Sequence, residues 1–142
     1  MSEAAPPPPP ARREFSLEEL QRFVPGLGTI MPEIGNRCWK LYYAAKEGAW
    51  AMAEFQLAEI NGLMRTGALT RPRYEDDLKG FAAETLGALK EPIQKKDFGA
   101  FDTAFKAMVD MANEYHEGVG RSYIVWTLPD MPPPDLDFSK EK

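Results

Sequence analysis

Cysteine is nearly absent from this chain. Cys38 stands alone, which excludes an internal disulfide and any multi-cysteine metal site; the residue reads as a small apolar side chain packed on a helix. Histidine is as scarce, with His116 the one example. The seven methionines are dispersed along the sequence, which argues against a copper site. No apolar run approaches the ~20 residues that a membrane-crossing helix needs. Basic residues are outnumbered, 17 Lys and Arg against 22 Asp and Glu for a net charge of −5. That balance argues against a nucleic-acid binder, which carries a clustered basic face, and against an anionic membrane surface as partner. Met1-Ser2-Glu3, followed by alanines and prolines, has neither the basic start nor the apolar stretch of a secretory leader. The expectation is a cytoplasmic chain.

What is present suits one globular domain. A chain of 142 residues rarely holds two independent cores. The aromatics, 11% of residues, fall mostly in periodic segments, so a substantial core is available. Pro6 to Pro10 is an unbroken proline run, compatible only with extended polyproline II, and residues 1–14 read as a disordered tail. The stretch from Pro129 to Lys142, with Pro132, Pro133 and Pro134, is likewise no helix; it lies extended along the domain or hangs free. Residues 15–128 form the helical domain between these tails.

Within that domain the apolar spacing is helical throughout. Ser16 opens a capping box with Glu19, and Leu17, Leu20 and Phe23 make a short helix ended by Pro25-Gly26. Met31 to Lys46 follows, with Ile30, Ile34, Cys38, Leu41 and Ala45 three and four residues apart, and Gly48 breaks it. The next helix carries Trp50, Ala53, Leu57, Ile60 and Met64, and Gly67 with Thr70-Arg71-Pro72 makes the longer connection. The third spans about Tyr74 to Lys95, with Leu78, Phe81, Thr85 and Leu89 inward; Pro92 should kink it or end it early. The fourth is the most regular, a stripe of Phe98, Phe101, Phe105, Met108, Ala112, Tyr115 and Val119 ending near Gly118 or Gly120. Arg121 to Trp126, β-branched and aromatic, reads as an extended segment over the end of the helices. Short links at Gly48 and Lys96-Asp97 make an all-α, antiparallel up-down-up-down four-helix bundle the simplest topology, with a short extra N-terminal helix and extended Pro-rich tails.

The run Arg37-Cys38-Trp39-Lys40-Leu41-Tyr42-Tyr43-Ala44, followed by Gly48-Ala49-Trp50, resembles a group of small proteobacterial four-helix c-type cytochromes, similar in architecture to cytochrome c′. Those proteins carry Arg-x-x-Lys-Leu-(aromatic)-(aromatic)-Ala and then a Gly-x-Trp turn. Their last helix ends on Cys-x-x-Cys-His, then a Gly and a Phe-Ile-type segment closed by Pro. The aligned run here is Ala112-Asn113-Glu114-Tyr115-His116, then Gly120, Tyr123-Ile124-Val125 and Leu128-Pro129. The resemblance covers about residues 28 to 129. The departure lies in the attachment motif: Ala112 and Tyr115 replace both thioether cysteines and His116 remains, which excludes covalent c-type haem. The resemblance implies dimerisation through the first two bundle helices, which would bury aromatics such as Tyr43 or Phe55.

Two readings of the His116 region follow. In one, His116 is an axial ligand to non-covalent haem with Met31 on the opposite face, a pair that favours electron transfer. In the other, Tyr115 with the phenylalanines of the last helix and Trp39, Tyr42, Trp50 and Phe55 fills the volume of a lost cofactor. Other chemistry is thinner. Glu54 and Glu59 could face Glu84 and Glu91, but the Glu-x-x-His pairs of di-iron bundles are missing, as is a Gly-rich phosphate loop. The expected function is a cofactor-free module that holds a small apolar ligand or a protein partner. Its candidate pocket lies between the first and fourth helices, lined by Trp39, Tyr42, Phe105, Met108, Ala112, Tyr115 and His116. The alternatives are a non-covalent haem protein for electron transfer, sensing or storage, and a small accessory enzyme subunit, ranked last because no acid–base pair or nucleophile stands out.

Overall fold

The computed structural model describes residues 3–9 and 11–141. Met1, Ser2 and Pro10 of the expected N-terminal tail, and Lys142 of the C-terminal one, lie outside the described residues. Among those described the protein is all-helical, without a strand. No helix is long and apolar enough to cross a membrane.

Helix α1 spans Leu17–Arg22. Its capping box is complete: the Ser16 hydroxyl accepts from the Glu19 N–H at 3.1 Å, and the Glu19 carboxylate accepts from the Ser16 N–H at 3.2 Å. The cap forms the helix, but nothing covers it, and Leu17 is 81% exposed.

Four longer helical stretches follow. Helix α2 runs Leu27–Lys46, starting four residues before the expected Met31. Pro32 sits inside it, where a missing N–H costs one backbone bond but leaves the earlier turn intact; the N–H groups of Thr29 and Ile30 both reach the Gly26 carbonyl. Helix α3 runs Trp50–Thr70. Gly67 therefore lies within a helix instead of opening the connection. A Cβ there would come 3.1 Å from Leu27 Cδ2 and 3.3 Å from Leu78 Cδ1, so this glycine serves close helix approach. The real link is Arg71 and the short 3-10 turn Pro72–Tyr74.

The third stretch is α4, Glu75–Phe81, a π-helical turn, Ala82–Leu86, and α5, Gly87–Gln94. The irregularity was expected at Pro92, yet that residue sits in α5 within three residues of its end. The distortion falls a turn and more upstream, where the Thr85 hydroxyl donates to the Phe81 carbonyl at 2.6 Å. A π turn inserts one residue into the period. Both Thr85 and Leu86 therefore face inward, between Leu78 and Phe81 on one side and Leu89 and Ile93 on the other. Helix α6, Phe98–Gly118, starts on an Asp97 cap that accepts from the Ala100 N–H at 3.1 Å. Helix α2 packs on α3 and α6, α3 on α4 and α5, and α5 on α6.

One end of the core is aromatic and solid. Phe101 and Phe105 are fully buried; the Tyr42 ring meets Phe98, Phe101 and Phe105 at 5.8, 6.3 and 5.0 Å, and Trp50 meets Phe101 at 6.5 Å. Each such ring removed from water contributes about 2–3 kcal/mol.

The segment after Pro129 is not free. Tyr43 Oη donates to the Pro129 carbonyl at 2.9 Å, Trp39 Nε1 donates to the Met131 carbonyl at 2.7 Å, and Lys40 pairs with Asp135 at 3.0 Å. Phe138, 7% exposed, joins the core. The segment expected to begin at 129 is thus packed against the helices: Trp39, Lys40 and Tyr43 of α2 hold the chain down as a strap. Tyr43, expected on the surface, lies buried beneath it.

Candidate functional site

The other end of the core is not filled. A cavity of about 630 Å³ opens between α2, α4 and α6, closed at one side by the segment after α6. Its size is that of a small-molecule site. Apolar side chains make most of the wall, among them Leu27, Met31, Met64, Leu78, Phe81, Met108 and Trp126. Tyr115, with its ring edge-on to Phe81 at 5.8 Å, lines the cavity without filling it. The expected replacement of a lost cofactor by aromatic bulk is therefore not what packing achieves. The bulky rings stack with one another at the Asp102 end, and the Tyr115 end keeps its space.

Of the sequence-derived site residues, Met31, Met108, Ala112, Tyr115 and His116 line this cavity. Trp39, Tyr42 and Phe105 do not. Trp39 is turned to the C-terminal strap. Tyr42 points into the aromatic cluster, where its hydroxyl donates to Asp102 Oδ1 at 2.8 Å; burial, with Asp102 beside it, pushes that phenol up to about 12. Phe105 is buried one turn away from the void, where its ring meets Trp126 at 6.4 Å.

The lid over the cavity is built by α6. Asn113 clamps Trp126 twice, donating to its carbonyl at 3.1 Å and accepting from its N–H at 2.8 Å. His116 Nδ1 lies 3.0 Å from the Ile124 carbonyl. A carbonyl only accepts, so Nδ1 carries the proton, and in the neutral ring Nε2 keeps its lone pair. The indole of Trp126 then rests on α2 at Gly35, where an added Cβ would come 2.7 Å from Nε1. Gly35 thus makes room for the lid.

The end of α6 fixes one more pair. Gly120 takes the left-handed conformation at φ +77°. Its N–H reaches the Glu117 carbonyl at 3.0 Å, and the Arg121 N–H reaches the His116 carbonyl at 2.7 Å. These two bonds are the Schellman pattern, and they set Arg121 beside His116 on the cavity rim. Arg121 Nη1 donates to Tyr123 Oη at 2.8 Å. Tyr74, at the start of α4, is a second hydrogen-bond partner of Arg121, and Asp77 in the first turn of that helix also lines the cavity. Burial raises the Tyr115 phenol, and the charges of Glu84 and Asp77 add to the shift.

Cys38 also lines the cavity. Burial pushes its thiol up to about 12, so it is a neutral apolar wall residue and no nucleophile. Sequence reasoning missed it in this role, along with Leu27, Met64, Asp77, Phe81, Arg121 and Trp126. Their helical period marked several as core, but no pattern in one chain says which core positions face a void. Among the described residues no three His, Cys, Asp or Glu side chains cluster to hold a metal ion. Glu54, Glu59, Glu84 and Glu91 are exposed. A second hollow, about 580 Å³ between α3 and α4, is edged by Arg65 and by the Lys79–Glu75 pair, and brings no reactive group together. Set against models of protein families, curated proteins and solved structures, the chain matches none of them.

Proposed function

We propose that the four long helical stretches form an antiparallel up-down-up-down bundle of cytochrome c′ type. In this reading the bundle has given up covalent haem attachment and serves as a cytoplasmic binding module for a small apolar ligand. The observation that carries this reading is the cavity itself: about 630 Å³, walled by apolar side chains and bearing a few polar groups at its edge. A solid core at this place would have favoured a protein partner instead. Three methionines, Met31, Met64 and Met108, line it, and their unbranched thioethers adapt to the shape of an occupant. The test is a titration with N-phenyl-1-naphthylamine, a neutral dye that brightens in apolar surroundings. Saturation near one equivalent, lost in Ala112→Trp while the far-ultraviolet circular dichroism stays unchanged, is the expected result. No brightening, or brightening indifferent to that substitution, sinks the reading.

Non-covalent haem is the second reading. Its support is that His116 and Met31 line the same cavity, and that the Ile124 carbonyl orients the His116 ring through Nδ1, the arrangement by which carbonyls hold metal-ligating imidazoles. The donor set fits an axial pair, while Ala112 and Tyr115 offer no thiol for attachment. Haem would supply redox chemistry there. Addition of one equivalent of haemin decides it: a sharp Soret band that vanishes in His116→Ala favours haem, and a broad band unaffected by that change removes it.

A further inference from the structure

The rim of the cavity is not electrically even. Arg121 is exposed at the mouth and lines it, and its guanidinium has no carboxylate partner among the described residues. Its hydrogen bonds are to neutral phenols, Tyr123 Oη at 2.8 Å and Tyr74. A guanidinium presents five N–H donors in a planar fork, so the two phenol contacts leave donors open. His116 stands beside it, held there by the Schellman turn at Gly120, with Nδ1 tied to the Ile124 carbonyl. The one carboxylate among the described residues lining the cavity, Asp77, lies in the first turn of α4, three residues after Tyr74, where the helix N-terminus already stabilises a negative charge. An apolar cavity with an unpaired, fork-shaped cation at its mouth is a site for a molecule of matching polarity.

We infer that the ligand is an amphiphilic anion, a carboxylate on an aliphatic or aromatic body, with its apolar part in the cavity and its carboxylate on Arg121. This deepens the apolar-ligand reading and rests on it. Planar bidentate pairing is the geometry in which Arg exceeds any other side chain toward a carboxylate. The chain's overall negative charge opposes this little, because exposed charges farther than about 8–10 Å are screened at physiological salt.

The experiment is displacement of bound N-phenyl-1-naphthylamine by three single-chain competitors: dodecanoate, 1-dodecanol and dodecyltrimethylammonium, each below its micellar concentration. Dodecanoate is expected to displace the dye at about tenfold lower concentration than the alcohol, the scale of one charge-assisted pair, with the ammonium weakest. In Arg121→Gln the carboxylate-to-alcohol preference collapses to about one, and in Arg121→Lys it survives in part. Because each variant is judged by a ratio of two competitors, a general loosening of the site does not imitate the result. Equal competition by acid and alcohol in the wild-type protein overturns the inference and leaves the apolar-ligand reading standing. Preference for the ammonium overturns it in favour of Asp77 as the anchoring group. A dye that never binds removes both readings together.

Discussion

The Arg121 N–H donates to the His116 carbonyl at 2.7 Å, across a turn in which Gly120 holds φ at +77°. The bond joins the last helical turn to the third residue beyond it, and so joins two rim groups of the cavity. Gly120→Ala forces a Cβ into the left-handed region, at a cost of about 1–2 kcal/mol, part of which is recovered through a less flexible unfolded chain. A net loss of about 1 kcal/mol is expected in urea unfolding, with weaker dye binding because His116 and Arg121 are no longer set together. Unchanged binding would detach the turn from the site.

The same turn ends α5, but with a lysine where glycine belongs. Lys96 sits at φ 54°, its N–H reaches the Ile93 carbonyl at 3.1 Å, and the Asp97 N–H reaches the Pro92 carbonyl at 2.9 Å. Lys96→Gly relieves the backbone penalty and should stabilise the protein by about 1 kcal/mol. A higher urea midpoint with an unchanged slope is the measurement that checks it.

Gly35→Ala sets a methyl against the Trp126 indole, whose Nε1 would lie 2.7 Å away. Alanine gains about 1 kcal/mol of helix propensity over glycine, while overpacking costs about 1–3 kcal/mol, so the net change in stability is small. The indole moves instead. Its Nε1–H resonance should shift in a proton–nitrogen correlation spectrum, and dye affinity should fall with it; an unmoved resonance would show that the lid does not rest on Gly35.

Phe138→Ala removes the ring by which the C-terminal strap enters the core. A loss of about 3 kcal/mol is expected for a buried phenylalanine near an edge. Limited proteolysis should then cut the strap after residue 129 faster than it cuts the helices.

Alkali should destabilise the fold through Cys38. The buried thiol is pushed from 9.0 to about 12 in the folded state, and a raised folded value means that the native protein holds the proton longer. The contribution is full below pH 9 and declines as pH rises toward 12. Tyr42, raised from 10.0 to about 12, acts in the same direction. Cys38→Ala should flatten the slope of stability between pH 9 and 11. A slope identical to wild type would mean that the thiol ionises freely.

Much of the fold is legible in the residues. The three-and-four spacing of Ile34, Cys38, Leu41 and Ala45 puts them on one buried face, as it does Ala53, Leu57, Ile60 and Met64. The Ser16 and Glu19 box and the Gly48 stop are local chemistry, set by hydrogen bonds within a few residues. Gly67 misled because a glycine that ends a helix and one that lets two helices touch look alike in sequence. Pro92 misled because its ring disturbs only the turn before it, and α5 has little helix left to lose beyond it.

The site divides along the same line. His116, Met31, Met108, Ala112 and Tyr115 could be singled out from spacing and resemblance, and they do share one cavity. Trp39, Tyr42 and Phe105 were grouped with them because an inward stripe has no depth: periodicity gives the face a residue occupies, not the distance along the helix axis at which rings close on one another. By itself the sequence determined most of each helix's inward face and the caps and stops set by local hydrogen bonds, since those depend on neighbours three or four positions away. Only the tertiary structure decided that the rings crowd to one end, that residues beyond 129 strap α2, and that a void with Arg121 at its mouth remains at the other. Those outcomes rest on contacts between segments distant in the chain, where the summed volumes of side chains either fill the space between helices or fail to.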